Sequence, residues 1–360
     1  MTKNIYLDIN IIQTVPSSNI NRDDTGAPKT AQYGGVTRAR VSSQSWKRVM
    51  REMFSNDYAG AKGSRTKDAA RLLAENISKL DGSLSNDDVT EKVSEILKAA
   101  GIKLNKENQT SALLLISHGQ LEQLAKYALS HDKFDKKELK SVLTGNQSLD
   151  LALFGRMVAD NPELNVEGSA QVAHAVSTHE VIPEFDYYTA LDDERSEDSV
   201  GAAMLGTGEY NSATFYRYAN LNLHELMHNL GGNIAIEGAL SYLKSFLLSM
   251  PTGKQNSHAN KTIPNYVLVT LRTDTPVNLV SAFEKPIKSR EGYVEASIQK
   301  LEEEYQSTLQ FVERPQLTLS LSKYDGNRVA DIKAATNLTD LLAQVSDGLK
   351  KVVPDENLSD

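Results

Sequence analysis

The sequence predicts an α+β fold, a sheet of ferredoxin-like type carrying insertions, and three observations point there. Strands with apolar alternation stand near both ends of the chain. A stretch rich in Ala, Leu, Lys and Glu, residues 64–143, separates the first strand from the middle of the chain. The remaining strands and helices mix without the strict alternation of a doubly wound sheet.

Ile5, Leu7, Ile9 and Ile11 alternate with more polar residues, as in a half-buried first strand. A polar loop follows over 15–28. Val36-Thr-Arg-Ala-Arg-Val41 is strand-like, and Ser42 is placed to cap a helix in which Trp46, Val49, Met50 and Met53 recur at core-facing spacing. Helices are expected at 66–80, 87–99, 107–129 and 136–143. Strands follow at 170–181 and 213–223, with an acidic, glycine-containing loop over 192–208 between them. Gly231-Gly232 precedes a helix over 233–249. A strand is expected at 265–271, a helix at 292–308, a strand at 316–322 and a final helix at 336–351. There is no internal repeat.

The 360 residues carry a net charge of −8, with 40% hydrophobic and 24% charged, ordinary values for a soluble globular protein. Cysteine is absent, which excludes disulfides and thiolate metal sites and suits a cytoplasmic location. No apolar run approaches a membrane span, and the start of the chain reads as a strand, not a signal peptide. A pI near 5.5 argues against nonspecific coating of nucleic acid but leaves room for a local basic groove.

Such a groove is suggested between Lys29 and Arg51, where six basic residues occur with no acid. Taking those six charges from the total leaves −14 on the rest. At about 100° per residue, Gln44, Lys47, Arg48 and Arg51 fall opposite the apolar stripe of the helix after Ser42. Amide, ammonium and guanidinium groups then share one line near a helix N-terminus, an arrangement suited to phosphate. Asp186-Tyr187-Tyr188-Thr189-Ala190-Leu191 adds aromatic and apolar groups of the kind that contact bases in single strands.

Two catalytic readings compete. His224-Glu225-Leu226-Met227-His228 matches a zinc-hydrolase pattern, yet the third ligand position holds Ile234, and Gly231-Gly232 cuts the helix short. A short helix capping a strand, with both histidines on its surface, is the preferred reading; Glu237, His174 and His179 are the conceivable third ligands. Asp23 and Asp24 could hold a divalent cation for RNA cleavage, although adjacent acids in a turn are commonly loop formers. No phosphate-binding P-loop and no complete dinucleotide fingerprint occurs.

An ordered set of blocks resembles the backbone subunit of the type I-E CRISPR Cascade complex, within the RAMP superfamily. The blocks are Asn21-Arg-Asp-Asp24, Gly34-Gly35 with Arg38, Arg40 and Val41-Ser-Ser-Gln-Ser-Trp-Lys-Arg48, then Gly155-Arg-Met157, Ala173-His-Ala-Val-Ser-Thr-His179, residues 186–193, Phe215-Tyr-Arg-Tyr-Ala-Asn220, Gly231-Gly232 and Ala282-Phe-Glu-Lys285. The resemblance implies a modified RNA-recognition-motif palm, an inserted helical fingers lobe and a long hairpin thumb. Its divisions would be palm 1–62, fingers 63–149, palm 150–180, thumb 181–212 and palm 213–360.

The implied function is that of a noncatalytic scaffold for guide RNA (crRNA), without cofactor. Copies would stack head to tail along the guide beside other Cascade subunits, displacing a base periodically and leaving the rest to pair with target DNA. By position, Arg22, Lys29, Ser42, Gln44, Lys47, Arg48, Arg51 and Lys254 would hold guide phosphates or sugars. Met157 would wedge against a base. Tyr187, Tyr188, Thr189 and Leu191 would form the thumb element, with tyrosines where the family has Trp and Phe. The resemblance also weighs against zinc, since the matching family segment lacks both histidines.

Overall fold

The computed structural model describes residues 4–54, 61–158, 161–190, 204–325 and 329–353. In chain order its strands are β1 (Tyr6–Ser18), β2 (Thr30–Tyr33), β3 (Val36–Val41), β4 (Ser64–Thr66), β5 (Leu114–Ile116), β6 (Ala170–Val172), β7 (Ala175–Ser177), β8 (Glu184–Ala190), β9 (Met204–Asn222), β10 (Tyr266–Arg272), β11 (Leu317–Ser322) and β12 (Lys333–Ala334). The helices are α1 (Ser43–Phe54), α2 (Ala69–Leu80), α3 (Asn86–Ala99), α4 (His118–Ser130), α5 (Lys136–Thr144), α6 (Leu149–Phe154), α7 (Leu223–Leu230), α8 (Gly232–Leu248), α9 (Gln255–His258), α10 (Val294–Thr308) and α11 (Leu338–Val352).

The main sheet runs β12-β11-β10-β1-β9-β7-β3-β2, with β6 and β8 also paired to β9. All its pairs are antiparallel except β11 with β12. This is the mixed α+β architecture that the pattern predicts. On one face Leu7, Ile9 and Ile11 join Phe215, Leu221 and Val269 beneath Trp46 and Met50 of α1, Tyr242 and Phe246 of α8, and Val345 of α11. The other face packs Tyr216, Tyr218, Tyr266 and Leu268 against Phe283 and against Leu301 and Tyr305 of α10. A separate core, including Leu73, Ile96, Leu124 and Leu139, holds the helices between residues 69 and 144 together.

The second layer corrects the expectation of a half-buried first strand. Asp8 and Asn10 of β1 point away from the larger core, yet α10 and its neighbours bury them too. Asp8 is kept there by donors: the Tyr218 hydroxyl at 2.7 Å, the Asn220 amide at 2.9 Å and the Val277 N–H at 3.0 Å. Burial pushes its carboxyl above the ordinary range, and those donors partly offset the shift. Asn10 accepts from the Tyr216 hydroxyl at 2.7 Å.

Three other expectations change. The helix expected over 107–129 is only α4, because Leu114–Ile116 pairs with Ser64–Thr66 as a strand. Ser117 and Gln120 then form a reciprocal capping box that starts the helix. The strand expected over 170–181 divides into β6 and β7. The expected loop over 192–208 is a strand from Met204 onward, while 191–203 lie outside the described residues. No helix among the described residues is long and apolar enough to cross a membrane.

Candidate nucleic-acid interface

Helix α1 begins where Ser42 leaves β3. The buried Ser42 accepts the Trp46 N–H through its carbonyl at 3.3 Å, and its Oγ accepts the Ser45 N–H at 3.4 Å. Its own N–H donates to Asn21 Oδ1 at 2.8 Å. Trp46, Val49 and Met50 face the core as predicted, but Phe54 completes the stripe and Met53 is only half-buried.

The opposite face is not uniformly exposed. Gln44 and Arg48 reach solvent, and Arg48 pairs with Glu52 one turn on at 3.1 Å. Lys47 is half-buried, its ammonium 5.4 Å from the centre of the Phe154 ring, and burial holds its pKa below the ordinary 10.5. Arg51 departs furthest from the expected free cation. Its Nε donates to buried Asp150 at 2.7 Å, and that carboxylate also accepts the Gly63 N–H and the Ser148 hydroxyl. The acid missing from the basic stretch is supplied from 99 residues away.

These side chains line one wall of a cleft of about 580 Å³. Lys62, Arg65 and Leu113 line it too, together with the Phe154-Gly155-Arg156-Met157 turn. Gly155 has φ +72°, and a Cβ there would stand 2.6 Å from the Val166 carbonyl oxygen, so the turn requires glycine. Arg156 then inserts among the carbonyls of Leu164, Leu115 and Leu143 at 2.9, 3.1 and 2.9 Å. With Arg156 anchored inward, Met157 is left 83% exposed. Cations and a bare apolar side chain therefore share one cleft. Lys62 and Arg65 were missed in the sequence, where their only signal is two cations in Lys62-Gly-Ser-Arg65 without an acid.

Arg48 and Glu52 also border a second cleft, of about 650 Å³, with Arg22, Asp23, Asp24 and Gly253. Asp23 acts there as a loop former: its Oδ1 accepts from the Thr25 N–H, the Thr25 hydroxyl and the Ala27 N–H at 2.9, 2.7 and 3.0 Å. The Thr25 hydroxyl leads in holding its pKa low. Arg22 is exposed, and Lys254 is exposed one residue past Gly253 in a left-handed conformation with φ +55°. Lys29 lies immediately before β2, half-buried.

Tyr187, Tyr188 and Thr189 stand on β8, whose every residue is exposed, in a hairpin with the first part of β9. Strand alternation sends Tyr187 and Tyr188 to opposite faces, 66% and 42% exposed. Tyr188 lies against Gly206, where a Cβ would stand 2.5 Å from the phenol ring. Leu191 lies outside the described residues.

A sequence profile of the CT1975-like protein family matches residues 7–344. The chain belongs to the CT1975-like family. Its fold is similar to a chain in a solved structure described as a CRISPR RNA-guided surveillance complex, pre-nicking, with TM-score 0.85 and 30% identity over 96% of this chain and 100% of that one. A chain of a second CRISPR RNA-guided surveillance complex shares the fold at TM-score 0.74 and 24% identity, over 95% of this chain and 99% of that one. No curated protein matches the chain significantly. The resemblance to a Cascade backbone subunit, drawn from the ordered blocks, is borne out by family and fold.

Several block residues of this CT1975-like protein hold the fold itself. Arg38 donates to the carbonyls of Tyr33, Ser177 and Phe283 at 3.0, 2.8 and 2.8 Å. Arg217 is buried between the Trp46 and Phe246 rings, 3.8 and 4.5 Å from their centres, and donates to the Gln13 side chain and the Phe246 carbonyl. Burial lowers the pKa of Arg217 to about 9 and that of Arg156 to about 10. Neither has a carboxylate partner among the described residues.

His224 and His228 lie exposed on the two-turn helix α7, capped by Asn222, which accepts the Glu225 N–H at 3.2 Å. The conceivable third ligands are placed otherwise. His179 is buried, stacked 3.7 Å from Tyr293, with both ring nitrogens hydrogen-bonded to backbone. His174 meets the start of α1, and Glu237 is exposed on α8. No group of three His, Asp or Glu side chains that could hold a metal occurs among the described residues.

Proposed function

We propose that this CT1975-like protein is a noncatalytic guide-RNA-binding scaffold of a Cascade-type surveillance complex. The single observation carrying this is the cleft in which Gln44, Lys47 and Arg48 face Lys62 and Arg65 while Met157 stands bare beside them. Cations follow a phosphate backbone without reading sequence, and an apolar side chain contacts a base face. Arg22, Lys29, Ser42, Arg51 and Lys254 extend the track; Ser42, which is buried, acts chiefly by setting the start of α1, and Arg51, which is paired with Asp150, by tying α1 to α6.

In this reading the main sheet and α1 are the RNA-recognition-motif palm, the helices of 63–149 the fingers and the β8–β9 hairpin the thumb. Tyr187, Tyr188, Thr189 and Leu191 occupy the gap left by a displaced nucleotide. Copies line up head to tail with other Cascade subunits, and guide bases held only by their backbone pair with target DNA. Support comes from the surveillance-complex chains of similar fold.

The test is to purify the protein with its associated material from its source and size the bound RNA. A uniform RNA, retained by wild type and lost in Lys47→Ala/Arg48→Ala, is expected. Protein free of RNA, or RNA of random length retained by that variant, would sink the proposal.

A further inference from the structure

Strands β6 and β7 both pair with β9, but out of step. Val172 faces Ala219 and Val176 faces Tyr216, so four residue steps on one side answer three on the other. Ala173 still donates to the Tyr218 carbonyl at 3.0 Å, and Ala175 pairs with Val41 of β3. The residue left over is His174. Such a one-residue bulge re-aims a side chain out of the ladder. The His174 ring arrives at the first turn of α1, where Nδ1 accepts the Ser43 N–H at 3.1 Å. Because Nδ1 accepts, the proton of the neutral ring resides on Nε2, a donor on an exposed residue.

Two cations flank it. The pairing of Thr30 with Ala39 continues to Lys29 opposite Arg40, whose N–H donates to the Lys29 carbonyl at 2.9 Å. Residues directly opposed in an antiparallel pair share a face. Partial burial, then the charges of Arg40 and Lys29, hold the His174 ring below its usual pKa and hence neutral. Neither cation has a carboxylate partner among the described residues, and Arg40 engages the protein only through Nε, to the Thr30 carbonyl at 3.1 Å.

We infer that His174, Arg40 and Lys29 form a phosphodiester site at the N-terminal end of α1, with His174 donating from Nε2 and the two cations supplying charge. This rests on the RNA reading above and extends the track from the cleft to the β2–β3–β7 end of the sheet. Lys29 alone of the three is expected from the sequence to hold phosphate, since a bulge has no signature there.

The test uses full-length protein and a fluorescent polyuridine RNA, titrated by anisotropy at several salt concentrations. Arg40→Gln should reduce the slope of log affinity against log salt by about 0.7, one phosphate contact on a single strand. His174→Ala should weaken binding about tenfold at unchanged slope, because a neutral donor releases no counterion. If Lys47→Ala weakens binding while Arg40→Gln and His174→Ala match wild type, this site is wrong and the scaffold reading survives. If wild type does not bind, both fall. Should His174→Ala unfold the protein by orphaning the Ser43 N–H, ¹⁵N-histidine NMR of wild type decides. An Nε2-protonated ring whose resonance moves on adding RNA supports the site; an Nδ1-protonated or unmoved ring overturns it.

Discussion

Lys47 is held over the Phe154 ring at the edge of the cleft, and there burial and charge oppose each other. Its folded pKa lies below the ordinary 10.5 that the unfolded chain keeps. The folded protein therefore releases this proton more readily than the unfolded chain does. The cost of burying the charge is in full force below the folded pKa and fades as pH rises through it toward 10.5. Lys47→Met keeps a side chain on the ring, so it should raise the thermal midpoint of free protein at pH 7 while weakening RNA binding about tenfold. A lowered midpoint in calorimetry would contradict this. Asp150 presents the reverse case. Asp150→Ala leaves the Arg51 guanidinium and the Gly63 N–H without their buried partner, and chemical denaturation should show a loss of about 3–5 kcal/mol. A loss near zero would show that Arg51 finds water instead.

Among the elements, α1 was the most legible in the sequence. Its start, apolar stripe and basic line depend on residues within a few turns of one another. What distance conceals is pairing: nothing near Arg51 announces Asp150, and nothing near Asp8 announces that α10 will cover a second face of the sheet. The boundary of α4 was missed for a different reason. The apolar run 113–116 suits strand and helix alike, and only the pairing with β4 decides. In the exposed hairpin, alternation separates Tyr187 from Tyr188, a consequence of strand geometry that adjacency in sequence obscures. Their effects on RNA affinity should therefore add, each alanine substitution costing about 1–3 kcal/mol if its ring stacks on a base. A double variant no weaker than either single one would place both rings at one contact.

At the scale of the whole molecule, a net charge of −8 makes copies repel at long range, while the cleft and the His174 end of the sheet offer local attraction to phosphate. Stacking of copies should therefore depend on RNA. Mass photometry is expected to show free protein as small species and RNA-bound protein as a ladder whose top rung climbs with RNA length; one copy per RNA at every length would refute head-to-tail assembly. Strand β9 gives this picture a mechanical side. Its 19 residues run unbroken from the exposed hairpin to the far end of the core, a span of about 60 Å. The hairpin is thus a cantilever rooted in the sheet, and its phase is fixed by the buried half. Adding a single residue between Gly208 and Ala213 would turn the outer half over, exchanging the sides on which Tyr187 and Tyr188 stand without altering either tyrosine.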